Sequence, residues 1–128
     1  MRRRGVILFA HGARDPAWSA PFESLAARFA ALAPDIPVTL AYLEFMTPDL
    51  ATAARSLVDL GCDAVTIVPA FLGVGGHVRR DVPVIVASIE RDHPGLAVRV
   101  APALGEVASV QDAMARAAVA AVRAAAPD

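Results

Sequence analysis

The chain has 128 residues, twelve basic against thirteen acidic, and a formal net charge of −1. A length of that order fits one domain, residues 1–128, and the near balance of charge leaves no field to draw the protein to nucleic acid or a membrane surface. The single Cys62 excludes an internal disulfide framework and any thiolate-rich metal centre supplied by one chain, and it suits a reducing cytoplasm.

The N-terminus "MRRRGVILFAHG" starts basic, but its apolar run from Val6 to Ala10 is too short for a signal-peptide core and reads as a first strand, 5–10. Further strands are expected near 38–43, 64–69 and 97–101, each a short run rich in β-branched residues. Helical patterns fill the gaps at 16–33, 48–60 and about 78–93, with a fourth at 106–125. In the first of them Leu25, Phe29 and Leu32 form an i, i+4, i+7 stripe.

Asp15 before Pro16 and Thr47 before Pro48 have the form of N-caps followed by proline at the first helical position. Gly61 and Gly95 mark helix ends by permitting left-handed backbone, and His93 sits where the third helix should stop. Val107, Val110, Met114 and Ala118 form a packing stripe on the last helix. No apolar segment approaches the roughly 18 residues of a spanning helix, so no membrane association is expected.

Strands alternating with helices predict an α/β fold, a flavodoxin-like domain whose four-stranded parallel sheet carries helices on both faces. With right-handed crossovers, strand 1 lies between strands 2 and 3, and the residues just past these strands converge on the carboxyl edge of the sheet, where ligands bind. His11 follows strand 1 in "LFAHGARDP", Glu44 follows strand 2, and His77 lies in "FLGVGGHVRRD" after strand 3. Two imidazoles and a carboxylate are suitable ligands for a borderline divalent metal, and histidine also accepts protons near neutral pH.

Gly75 and Gly76 before His77 allow a tight turn or a close backbone approach to a ligand. Arg14, Arg79 and Arg80 surround the same edge, and guanidinium groups bind carboxylates in bidentate fashion. A solvated surface with Asp15 and Asp81 as partners is the plainer account of these arginines. Cys62 reads as small buried filler, while Trp18, Phe22 and Phe45 suit either core or the mouth of a cleft.

"LFAHGARDP", "LEFMTPDL" and "VPAFLGVGGHVRRDVP", in that order, closely resemble the short sirohydrochlorin chelatases of the CbiX/SirB class. That resemblance implies a chelatase that inserts cobalt, iron or nickel into sirohydrochlorin or a related precorrin, with no organic cofactor and no nucleotide hydrolysis. The family's motif histidines match His11 and His77, and its acidic metal-site residue matches Glu44. Where relatives usually read HGS, this chain reads His11-Gly12-Ala13-Arg14 and lacks that hydroxyl. The half-length form implies a homodimer.

Two other readings use the same strand-end histidine. A histidine phosphatase needs an RHG motif, whereas Ala10 precedes His11 here. A metal or tetrapyrrole carrier would use the same ligands without turnover.

Overall fold

A computed structural model describes residues 2–125, apart from the side chain of His77. Four strands, β1 (Arg4–Ala10), β2 (Val38–Tyr42), β3 (Ala64–Pro69) and β4 (Ala97–Val100), alternate with α1 (Ala20–Leu32), α2 (Leu50–Asp59), α3 (Gly76–Asp92) and α4 (Ala108–Ala124). All strand pairs are parallel, in the order β2-β1-β3-β4. This is the expected arrangement, with the β1, β2 and β3 ends side by side. No helix among the described residues is long and apolar enough to cross a membrane.

The core lies on one face of the sheet. Ile7, Phe9, Val65 and Ile67 point there, against Leu50, Leu57, Val82 and Ile89 of α2 and α3. Cys62, 4% exposed, closes the lower end of this layer, as a small apolar filler should. The other face carries α1, which lies over β2 and β1.

Local chemistry sets most element ends. Asp15 accepts a hydrogen bond from the Ala17 amide and, with Pro16 next, opens a 3-10 turn, Pro16–Ser19, that runs into α1. At α2 the cap is Asp49 and not Thr47. The Pro48 carbonyl is turned back to accept from the Tyr42 amide, so the helix starts two residues later, with the Asp49 carboxylate receiving the Thr52 amide at 2.9 Å. Gly61 has the left-handed backbone expected of it, with φ +92°, whereas Gly95 does not. There α3 ends at His93, whose amide still donates to the Ile89 carbonyl.

The last helix departs from expectation. It forms over its whole length, but the stripe at Val107, Val110, Met114 and Ala118 packs on no sheet face of its own chain, and no residue of α4 is buried.

The hydrogen bond donated by the Thr52 amide holds the Asp49 carboxyl below its ordinary value. A carboxylate with a depressed folded pKa stabilises the fold fully above the unfolded value of about 3.9 and ceases to do so as pH falls through the folded one. Asp49→Ala is therefore expected to lower stability by about 1 kcal/mol at pH 7. In denaturant titrations this deficit should shrink once pH drops below about 3.9.

Candidate functional site

The carboxyl edge is built by extending the strand ladder past the strands. Leu43 donates to the Ala10 carbonyl at 3.0 Å and Glu44 to the His11 carbonyl at 3.1 Å, so the segments following β1 and β2 stay paired after both strands have formally ended. Gly12 makes the pairing possible. Its φ is +90°, and a Cβ at that position would run into the Glu44 carbonyl oxygen. Only glycine combines the left-handed backbone with that approach.

On the other side of β1, Ala70 donates to the Phe9 carbonyl at 2.7 Å and aligns the segment after β3. That segment is braced in turn by the one after β4. Gly105 donates to the Phe71 carbonyl at 2.8 Å, and the backbone of Leu72 fills the space a Cβ on Gly105 would need. Four successive strand ends are thus joined by backbone bonds.

His11 stands exposed on this frame. Its ring lies on buried Phe71, with centroids 4.1 Å apart and planes inclined by 25°. The contact fixes the face of the imidazole, which is left able to engage a ligand through its edge. Phe71 itself is held by Phe9, 5.5 Å away. Glu44, also exposed, is tied through its amide to the His11 backbone, so carboxylate and imidazole belong to adjacent strand ends. Next to them Phe45 takes φ +68° and remains 56% exposed, with the Arg14 guanidinium 4.5 Å above its ring. Phe45 therefore belongs to the mouth of the edge and not to the core.

His77 is the second residue of α3, and its side chain lies outside the described residues. Gly75 caps α3 and accepts from the Arg79 amide, while the Arg80 Nε donates to the Gly76 carbonyl at 3.3 Å. Neither Gly75 nor Gly76 takes left-handed backbone, and a Cβ on either would meet nothing within 4 Å, so no turn within the chain requires glycine at these positions. Arg79 borders an apolar groove of about 560 Å³ between α3 and β4, walled by Val78, Val82, Val100 and Pro102.

A smaller cavity of about 380 Å³ opens beside Arg14 and is bounded by Ser19, Glu23, Tyr42 and Phe45. Burial, aided by the Glu23 charge, pushes the Tyr42 phenol above its ordinary value. Tyr42 thus stays neutral across the physiological range.

Among the described residues no three His, Cys, Asp or Glu side chains gather into a metal centre. The structure joins His11 and Glu44 through the backbone and sets Arg14 over neighbouring Phe45, while Arg79 and Arg80 lie on α3. Sequence reasoning passed over Phe71. Its signal is an aromatic residue two positions past the end of β3, where the register places it next to the end of β1.

A family model described as CbiX matches residues 5–121. A Saccharolobus solfataricus protein named sirohydrochlorin cobaltochelatase is 32% identical over 82 residues, 62% of this chain and 60% of its own length. The match thus spans under two thirds of that relative. The crystal structure of a cobalamin (vitamin B12) biosynthesis CbiX protein from Marinobacter aquaeolei VT8 superposes with a TM-score of 0.84 at 30% identity, covering 95% of this chain and 99% of the other. The sirohydrochlorin chelatase SirB from Bacillus subtilis subspecies spizizenii, solved with cobalt, shares the fold. Its TM-score is 0.73 at 18% identity, over 80% of this chain and 44% of the other.

Gly12→Ala should cost about 2 kcal/mol or more, from left-handed strain plus displacement of the Glu44 carbonyl. An unchanged urea midpoint for this variant would show that the Gly12 to Glu44 approach does not hold the edge together.

Proposed function

The chain belongs to the CbiX family, and from that premise we propose that it is a sirohydrochlorin chelatase. It inserts a divalent metal, cobalt foremost and iron or nickel otherwise, into sirohydrochlorin or a related precorrin, without ATP or an organic cofactor. The observation that carries this reading is His11, an exposed imidazole fixed on Phe71 and bonded through its backbone to Glu44. The setting is the cytoplasm, where a free Cys62 stays reduced.

Metal insertion exchanges two pyrrolic N–H protons for one divalent cation, so a base must stand close to the ring and a ligand must present the ion. In this reading His11 and His77 hold the incoming metal as neutral imidazoles, and Glu44 completes the ligand set or takes a released proton. Metal, carboxylate and imidazole favour one another at this edge because oxygen and nitrogen donors suit borderline divalent ions. Arg14, Arg79 and Arg80 meet the carboxylates around the macrocycle. The open space about Gly75 and Gly76 leaves room for the ring.

Ligand pockets usually occupy ~300–1,000 Å³, and the groove beside Arg79, about 560 Å³, is open along one side of a single chain. A second copy supplies the other wall, and the active species in this reading is a homodimer. The alternative, a metal or tetrapyrrole carrier, rests on the same ligands and differs in turnover alone.

Absorbance-monitored metallation with catalytic amounts of protein, under anaerobic conditions and with cobalt(II), iron(II) and nickel(II) tested separately, separates the two. Multiple turnovers above the spontaneous rate are expected. Stoichiometric binding without turnover would establish the carrier instead. His11→Ala and His77→Ala should each slow insertion by about a hundredfold, the usual scale for loss of a positioned acid–base group. Rates within a few-fold of the parent protein for both would remove the two histidines from the mechanism.

A further inference from the structure

Among the described residues Phe45 alone, glycines aside, takes left-handed backbone, at φ +68°. Its loop is short. The Tyr42 amide donates to the Pro48 carbonyl at 2.9 Å, so residues 43–47 must reverse the chain. Glu44 is pinned on both sides, its amide on the His11 carbonyl and its own carbonyl against Gly12. The turn therefore falls on position 45. Such backbone ordinarily selects glycine or asparagine, because a Cβ crowds the following carbonyl. This chain has an aromatic residue there, and burial does not account for it, since the ring is 56% exposed. Strained backbone beneath an exposed ring points to a role for the ring itself.

The ring has one charged neighbour. The Arg14 guanidinium carbon lies 4.5 Å from its centroid, inside the roughly 6 Å at which an aromatic face holds a cation. Carboxylates are near in the chain, yet among the described residues Arg14 makes no ion pair. Asp15, next in sequence, is turned to the Ala17 amide at 3.0 Å. Glu23, which lines the same cavity of about 380 Å³ as Arg14, accepts from the Ser19 hydroxyl at 3.3 Å. The cation is thus kept on the ring, exposed, with no anion to compensate it.

A guanidinium lying over an aromatic face keeps N–H donors free, and these pair with a carboxylate in bidentate fashion. An arginine loses conformational freedom when it closes on an anion, and one already held on a ring loses less. Position adds to this. Phe45 follows Glu44 directly, so the held cation stands at the strand end that offers the carboxylate, one strand away from His11.

We infer that Phe45 is a positioning residue for substrate binding: its ring holds the Arg14 guanidinium at the β2 flank of the carboxyl edge, ready for a peripheral carboxylate of the macrocycle. The inference rests on the chelatase reading and deepens it, because that reading gives Arg14 a carboxylate and gives Phe45 no part. It also explains an aromatic residue on backbone suited to glycine. Without the ring, Arg14 has Glu23, on the wall of the same cavity, as a rival partner that binding must displace.

Binding of metal-free sirohydrochlorin tests this, read in the full-length protein from quenching of Trp18, the chain's one tryptophan. Phe45→Leu keeps an apolar side chain without an aromatic face, Phe45→Asn suits left-handed backbone, and Phe45→Tyr keeps the face. The first two should each weaken binding about two- to fivefold, the scale of an exposed cation–π contact, and the third should bind as the parent protein does. Arg14→Ala should weaken binding about tenfold or more, as loss of a charged hydrogen bond does. Adding Phe45→Leu to Arg14→Ala should change nothing further. In steady-state metallation the same loss should fall on KM and spare kcat, and Phe45→Asn should not lower the urea midpoint.

Penalties that add in the double variant would show that Phe45 acts apart from Arg14. Parent-like binding by Phe45→Leu would show that apolar bulk suffices, and parent-like binding by Arg14→Ala that the cation is idle. A lowered midpoint for Phe45→Asn would make the ring part of the packing of its loop. Each of these overturns the role of Phe45 and leaves the chelatase reading in place. A parent protein that binds without turnover would remove the chelatase reading, and the same binding constants would still decide for or against Phe45. A parent protein that does not bind the macrocycle overturns both.

Discussion

The parallel ladder does not stop where the strands stop. Backbone bonds from Leu43 to Ala10 and from Glu44 to His11 carry it onto the segments after β1 and β2. Everything at the carboxyl edge depends on that continuation. It lines up an imidazole and a carboxylate from residues 33 positions apart, and it works because Gly12 carries no side chain. On the opposite side, Phe71 underlies His11 and is itself anchored through Gly105. The edge is consequently pre-organised by main-chain geometry. Positioning of this kind costs little at the moment of reaction, since the donors are already ordered.

The same economy explains why so small a chain can belong to a chelatase family. A parallel sheet offers its strand ends as a row of attachment points, and three neighbouring ends suffice for two histidines and a glutamate. What the chain lacks is enclosure. The groove beside Arg79, between α3 and β4, is open to solvent.

Much of this was legible from residue order, because alternation of β-branched runs with amphipathic stretches fixes which strands are parallel and which ends share an edge. Asp15 was equally plain, a short acidic side chain directly before proline. Thr47 was not, since Thr47 and Asp49, two positions apart, both have capping chemistry, and the choice fell to a tertiary bond, Tyr42 amide to Pro48 carbonyl, that no local pattern records. Phe71 under His11 and Arg14 over Phe45 escaped for a related reason: a ring's neighbour depends on strand register. The stripe on α4 reads from the sequence as a packing face, yet no residue of α4 is buried within its own chain. Periodicity reveals that a face seeks cover, and is silent on whose surface provides it.

Cys62 adds a property of a different kind. It is the chain's one thiol, sealed in the layer beneath α2, close enough to β1 that a methyl group on Gly5 would come within 3.0 Å of its sulfur. Cys62 is 4% exposed and borders a cavity of about 400 Å³ beside Val58 and His93, so the rate at which a thiol reagent labels it rises with each opening at that end of the layer. The unmodified protein therefore carries its own clock for local unfolding, placed on the side of the sheet away from α1.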